Sequence, residues 1–209
     1  RGSTLIVPPR ASCAVPFAPV NHSDDPKRNP HVSRTLLRRG AKFDFELLTL
    51  AGADGTPLTR EIIRHRGSVV ILPILEVPGK APQVVFIRNF RPSCESWLLE
   101  LPAGTLEPGE DPGLCAGREL EEETGYKAAT LTPLTRFHTS PGMTDELMGA
   151  YLATGLTPVG QSLEADERIL PVPIPASECF SLIRRGDLAD GKSMLTLLLA
   201  ARMGLISIE

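Results

Sequence analysis

The aperiodic start of the chain gives way to expected structure near Ser33. Lys42–Leu50 puts Phe43, Phe45 and Leu47 on alternate positions, Ala53-Asp54-Gly55 supplies turn residues, and Thr59–Arg64 resumes the extended pattern. A period of two on both sides of a turn predicts an antiparallel β-hairpin. Ser68–Leu75 and Gln83–Asn89 are apolar, β-branched runs and Trp97–Leu101 is a third strand candidate, with Gly79-Lys80 and Pro92-Ser93 as punctuation. Pro102-Ala103-Gly104 reads as a loop. In the helix that follows, Asp111 suits the N-cap, Pro112 the first helical position and Gly125 a left-handed C-terminal cap. Thr130–Thr139 and Met148–Thr154 read as strands joined by the loop Ser140–Asp145; Ile169–Ile174 is a shorter strand before helices near 177–185 and 193–201. Mixed strands with few helices and no internal repeat predict an α+β chain, a mixed sheet core flanked by helices.

Residues 1–32 show no periodicity and are expected to form a flexible, proline-rich leader, with one domain over 33–209. Hydrophobic residues make up 42% of the 209 positions and charged residues 22%, values of a globular domain able to bury one core. The net charge of −3 gives no reason to expect a nucleic-acid or membrane partner, although positive charge gathers in the leader. Cys13, Cys94, Cys115 and Cys179 are widely spaced, with no C-x-x-C pair, as in a reduced, cytoplasmic protein.

Chemistry concentrates in residues 104–126, GTLEPGEDPGLCAGRELEEETGY. Glu119, Glu122 and Glu123 stand at i, i+3 and i+4, so their carboxylates leave one helix face within a turn. Like charges at that spacing repel unless a cation lies among them, and hard divalent ions favour carboxylate oxygen. An acidic solvated face would look the same on these glutamates alone. The whole stretch, however, resembles the Nudix box, G-x5-E-x7-R-E-U-x-E-E-x-G-U, with U a bulky apolar residue. Gly104, Glu110, Arg118, Glu119, Leu120, Glu122, Glu123 and Gly125 fall in register without insertion, and Tyr126 is the one soft departure. At ordinary residue frequencies a chance match at a given start is on the order of one in 10⁹.

The resemblance implies a Nudix fold, an α/β/α sandwich, and a Mg²⁺-dependent hydrolase in which Mn²⁺ can substitute. It implies metal binding by Glu119, Glu122, Glu123 and the backbone carbonyl of Ala103. Arg118 is implied to orient the glutamates and Glu110 to support them. Phe86–Arg91, Trp97–Gly104, the loop Ser140-Pro-Gly-Met-Thr-Asp-Glu146 and the segments 166–169 and 186–193 resemble the ADP-ribose pyrophosphatase branch over about residues 38–203. That branch implies a nucleotide-sugar substrate, cut to AMP and ribose 5-phosphate in the case of ADP-ribose. Glu146 is the first candidate for general base, Glu167 the second and Glu123 the third. Arg60 and Arg91 are candidates for phosphate or terminal-ribose contacts, since guanidinium forks match phosphate oxygens. Glu100 is a candidate sugar or supporting contact. Phe43 is a candidate adenine-stacking partner, with a core position as its alternative, and Trp97 is expected in the sheet core. The branch further implies a domain-swapped homodimer, residues 33–66 forming the exchanged hairpin region and 67–209 the catalytic core. Three competing readings stay open: a different nucleoside diphosphate sugar such as GDP-mannose, a nucleoside triphosphatase, and a non-catalytic metabolite sensor.

Overall fold

The computed structural model describes residues 31–52, 54–163 and 168–207, with side chains from Ser33 onward. The chain runs through strands β1 (His31–Arg39), β2 (Phe43–Ala51), β3 (Pro57–His65), β4 (Ser68–Leu75), β5 (Gln83–Arg91), β6 (Ser96–Glu100) and β7 (Ala103–Thr105) into helix α1 (Pro112–Thr124). It continues through β8 (Tyr126–Lys127), β9 (Thr130–His138), β10 (Leu147–Thr154), β11 (Thr157–Pro158) and β12 (Ile169–Pro175). A 3₁₀ turn at Ala176–Glu178 then leads to α2 (Cys179–Arg185) and α3 (Gly191–Arg202).

Strand β4 organises the core. Its central position, parallel to β10, leaves both faces to be covered, and its unbroken apolar run supplies both. Val69 and Ile71 pack with Cys115, Ala116 and Leu120 of α1. Val70, Leu72 and Ile74 pack on the opposite face with Cys179 and Leu182 of α2 and Leu197 and Ala200 of α3. The result is the expected α/β/α sandwich. Each buried Val, Leu or Ile side chain among these stabilises the fold by about 1.5–3 kcal/mol relative to exposure.

The main sheet has the order β12-β5-β4-β10-β9, with β6 added to β5 and β7 to β4. One edge of β4 is shared: Ser68–Val70 pair with β7, whereas Ile74 and Leu75 pair with β5. The sheet therefore opens between β7 and β5, and the principal cleft lies at that opening. The segment read as a loop at Pro102–Gly104 is thus partly strand, because Ala103, Gly104 and Thr105 take up the edge hydrogen bonds of β4. Three residues carry no readable period, so only the sheet edge reveals them.

Helix α1 follows its local signals. The Asp111 carboxylate accepts from the amides of Gly113 and Leu114, Pro occupies the first turn, and Gly125 closes the helix at φ 72°. A left-handed cap at that position suits glycine alone among these neighbours.

The predicted hairpin is present as β2 and β3, paired antiparallel from Phe43–His65 to Ala51–Pro57. Strand β1 pairs with β2 and completes a separate three-stranded sheet. Its sequence HVSRTLLRR lacks a clean alternation, and the pairing contains two register shifts. It starts at His31, so the last two residues assigned to the leader are strand; residues 1–30 lie outside the described residues. Trp97 corrects another expectation. It is 45% exposed and meets the exposed Phe90 ring edge-on, with the ring centroids 5.7 Å apart. The longest described helix has 13 residues, and no described helix is long and apolar enough to cross a membrane.

Candidate active site

The acidic face of α1 is organised by one guanidinium. Arg118 donates from Nε to Glu110 Oε1 at 3.0 Å and from Nη2 to Glu110 Oε2 at 3.0 Å; Nη1 donates to Glu119 at 2.8 Å and to Glu122 at 2.9 Å. The paired Arg118 holds the Glu110 carboxyl down to about 2, and the guanidinium is itself held more firmly protonated. Glu123 turns away to accept from the amide of Ala103 at 2.8 Å, tying the helix to β7. Glu119 lies directly over Gly104, where an added Cβ would come within 1.8 Å of the carboxyl carbon. The β7 loop and the helix therefore approach closely only because position 104 is glycine.

A cleft of 570 Å³ opens beside β7, lined in part by Ser68, Arg91, Ala103, Gly104, Glu146 and Lys192. Glu146, at the end of the 140–146 loop, accepts from Ser68 Oγ at 2.7 Å and from Thr139 Oγ1 at 2.5 Å. Each carboxylate oxygen thus has a hydroxyl donor, which fixes the plane of the group in the partly buried wall. His65 Nδ1 lies 3.7 Å from Glu146 but accepts from the amide of Gly67 at 3.1 Å. An accepting ring nitrogen carries no proton, so this approach is not an ion pair in the state described.

The opposite flank is charge-balanced. Glu100 is 1% exposed and accepts from Arg91 Nε and Nη2 at 2.7 and 2.6 Å and from Lys192 Nζ at 2.6 Å. Burial alone would push its carboxyl up, but hydrogen bonding and charge from Arg91 and Lys192 outweigh that and hold it below its ordinary value. Lys192 also donates to Asp190 at 2.9 Å, and Asp190 caps α3 through the amide and hydroxyl of Ser193. The Ser193 hydroxyl in turn accepts from the amide of Leu101 at 2.7 Å, locking α3 to the end of β6.

Of the residues singled out from sequence, Ala103, Glu119, Glu122, Glu123 and Arg118 meet around the α1–β7 contact, with Glu146, Arg91 and Glu100 around the same cleft. Arg91 is committed to Glu100. Arg60 and Phe43 do not line the cleft: both lie on the N-terminal sheet, Arg60 bonded to the carbonyl of Thr59 and Phe43 half exposed. Glu167 lies outside the described residues. Sequence reasoning missed Ser68, Thr139, Asp190 and Lys192. An Asp-Gly-Lys at the head of a helix was a capping signal for Asp190, but nothing local indicates that Lys192 reaches Glu100, 92 positions earlier.

Residues 64–168 match the family model described as the NUDIX domain. The chain belongs to the NUDIX family. It is 37% identical over 164 residues to the ADP-ribose pyrophosphatase of Bacillus subtilis, covering 78% of this chain and 86% of that one. It is 36% identical over 164 residues to the ADP-ribose pyrophosphatase of Mycobacterium tuberculosis, covering 76% of each. A solved structure of an ADP compounds hydrolase superposes with a TM-score of 0.70 at 26% identity, covering 84% of this chain and 93% of that one. The chain is thus a hydrolase of a family that depends on divalent cations. The donors present fit such an ion. They are all hard oxygens: the carboxylates of Glu110, Glu119 and Glu122 meet one guanidinium, and that of Glu123 lies against the Ala103 amide. Among the described residues no three acidic, His or Cys side chains already form a cage, since Glu119 and Glu122 are turned to Arg118.

Proposed function

We propose that this chain hydrolyses the diphosphate of a nucleoside diphosphate sugar, with ADP-ribose as the preferred substrate, to AMP and ribose 5-phosphate. What supports this reading is one juxtaposition: Glu146 shares a cleft with the Ala103–Thr105 strand that α1 pins through Glu123. An acid able to take a proton therefore stands across from the carboxylate row that carries the family's metal chemistry.

Glu119, Glu122, Glu123 and the Ala103 carbonyl would hold a divalent cation, Mg²⁺ with Mn²⁺ as substitute, which when bound neutralises the diphosphate and polarises a P–O bond. Glu146 takes the proton of the attacking water as its oxygen bonds to one phosphorus and the bridging P–O bond breaks. Both products are phosphate monoesters, and the proton leaves Glu146 for solvent. The Ser68 and Thr139 hydroxyls hold that carboxylate in one orientation through the step. Arg118 spaces Glu119 and Glu122, while Glu110 holds Arg118. Arg91, held by Glu100, presents its remaining N–H groups to phosphate or sugar oxygens at the cleft mouth.

The N-terminal sheet leaves Leu36, Leu37, Phe43, Phe45 and Leu58 exposed, a hydrophobic surface unusual for a lone chain. A second copy covers it in a domain-swapped homodimer, residues 33–66 forming the exchanged region, and Arg60 and Phe43 then serve the partner's cleft. The thiols of Cys94, Cys115 and Cys179 are free, consistent with a cytoplasmic location. The test is phosphate release, after phosphatase coupling, from ADP-ribose, GDP-mannose, ADP-glucose, UDP-glucose, NADH, diadenosine polyphosphates and dGTP with Mg²⁺. A kcat/KM preference for ADP-ribose of about tenfold supports the assignment. A preference for GDP-mannose would change the sugar and base contacts but keep the chemistry, and tight ADP-ribose binding without turnover would make the protein a sensor.

A further inference from the structure

The N-terminal sheet is not merely tethered to the sandwich by its chain connection. Its last strand, β3, runs beside the loop that ends in Glu146 and forms a short parallel bridge with it, Ile63 opposite Thr144. The amide of Ile63 donates to the carbonyl of Met143 at 2.8 Å, and the amide of Asp145 donates back to the carbonyl of Ile63 at 3.3 Å. The next residue strengthens the bridge with charge. Arg64 Nη1 donates to Asp145 Oδ2 at 2.8 Å, while the backbone amide of His65 donates to Asp145 Oδ1 at 2.9 Å. Both carboxylate oxygens of Asp145 are thereby held from β3. Burial would push that carboxyl up, but the Arg64 guanidinium and the His65 amide prevail and keep it below its ordinary value.

Arg64 is in turn anchored from behind. Its Nε donates to Glu46 Oε2 at 3.0 Å on β2, and Glu46 also meets Arg34 Nε at 3.6 Å on β1. A line of alternating charges thus crosses all three strands of the N-terminal sheet and ends on the residue immediately before Glu146. Beyond that point the chain is fixed by Thr144 Oγ1, which accepts from the amide of Glu146 at 3.2 Å, and by Ser68 and Thr139 at the carboxylate. Ser68 and Thr139 set the carboxylate plane; the Asp145 contacts set where its backbone starts. A loop fixed at only one of these points could swing the carboxylate by more than an in-line attack tolerates.

We infer that Arg64 and Asp145 form a positioning pair that clamps the Glu146 loop to the N-terminal sheet, so that the sheet governs turnover through the placement of Glu146. The inference rests on the reading of Glu146 as the general base. Neither residue touches substrate in this account; both act through the loop. The clamp also gives a physical route by which anything that moves the N-terminal sheet, including its covering by another copy, would alter kcat.

The experiment compares Arg64→Ala, Arg64→Lys, Asp145→Asn and the Arg64→Ala/Asp145→Asn double variant with the wild-type protein. The readouts are kcat and KM for ADP-ribose at saturating Mg²⁺, and amide hydrogen exchange of residues 140–146. Each disrupting single variant is expected to lower kcat about tenfold with KM within about twofold, the pattern of a misplaced catalytic group rather than a lost substrate contact. The double variant should be no slower than the slower single one, because one interaction is removed twice. Lysine at position 64 should restore part of kcat, since a single ammonium can keep Asp145 but does not fork to Glu46 as well. Exchange of the Asp145 and Glu146 amides should rise in Arg64→Ala. Additive losses in the double variant, a change confined to KM, or unchanged exchange in the loop would each overturn the clamp. Exchange is independent of chemistry, so it decides the matter even if no nucleotide sugar is hydrolysed; a wild-type protein that is active but indifferent to Glu146→Gln would instead remove the base assignment while leaving the clamp's exchange signature intact.

Discussion

Two charged clusters flank the cleft, and they are built on opposite principles. On the α1 side Glu110, Glu119 and Glu122 share a single guanidinium, that of Arg118. On the β6–α3 side Glu100 and Asp190 are matched by Arg91 and Lys192. The first cluster sets three carboxylates against one cation, whereas the second sets two against two and is closed to water around Glu100. On the proposed reading, charge balance separates a site for an exchangeable ion from a rigid scaffold, although both contain glutamates of similar appearance in the sequence. Buried carboxylates must be compensated within the fold, and only a solvent-reachable surplus remains free for ligand chemistry.

The strongest way to break this comparison is to remove one charge from the surplus side. Glu122→Gln should lower kcat by about a hundredfold or more at saturating Mg²⁺, with the melting temperature nearly unchanged, because Glu122 is the most exposed of the Arg118 partners. Steady-state kinetics with a parallel thermal melt checks it; near-normal turnover would remove Glu122 from the ligand set. Glu146→Gln should come next, with kcat down by at least about a hundredfold and KM little altered, as expected for loss of a base. If KM alone moves, the base is to be sought at Glu167 or Glu123.

On the balanced side the same substitution should act on stability. Glu100→Gln leaves Arg91 and Lys192 facing each other across a neutral amide, and denaturant unfolding should show a loss of about 2 kcal/mol. An unchanged midpoint would mean that the two cations relax into solvent and that the cluster is no scaffold. Because Arg91 also faces the cleft, turnover should fall too, though less than in Glu122→Gln.

How much of this was legible in the sequence follows from the range of each interaction. Strand β4 and helix α1 were readable because their signals are local: an apolar run of strand length, and Asp111, Pro112 and Gly125 at the positions a helix needs. The α1 carboxylates were readable because helix geometry alone puts i, i+3 and i+4 on one face. Lys192 and Ser68 were not, since each acquires its meaning from a residue 92 or 78 positions away. Arg91 and Glu100 were singled out separately, but their pairing across β5 and β6 depends on strand register, which no periodicity announces. Strand β1 was missed for the opposite reason: its mixed pattern serves a sheet with little buried face, so the usual alternation is weak.

The smallest expected effect concerns acid. Glu110 has its carboxyl held down to about 2 in the fold against an ordinary value of 4.5, chiefly by Arg118. A depressed carboxylate contributes stability that is fully present above its unfolded value and is lost as pH falls toward its folded one. Stability from Glu110 should therefore be intact at pH 7, begin to decline near pH 4.5 and be gone near pH 2. The ordinarily titrating unfolded chain takes up the proton first in that window. Glu110→Gln removes this contribution, so the variant should be less stable by about 1 kcal/mol at neutral pH, a value discounted for partial solvent screening, and should approach the wild type as pH falls. Urea unfolding of both proteins from pH 7 to pH 3 measures the convergence. A constant gap across the range would show that Glu110 acts through packing rather than charge, and the surplus on the α1 face would then be smaller than the geometry implies.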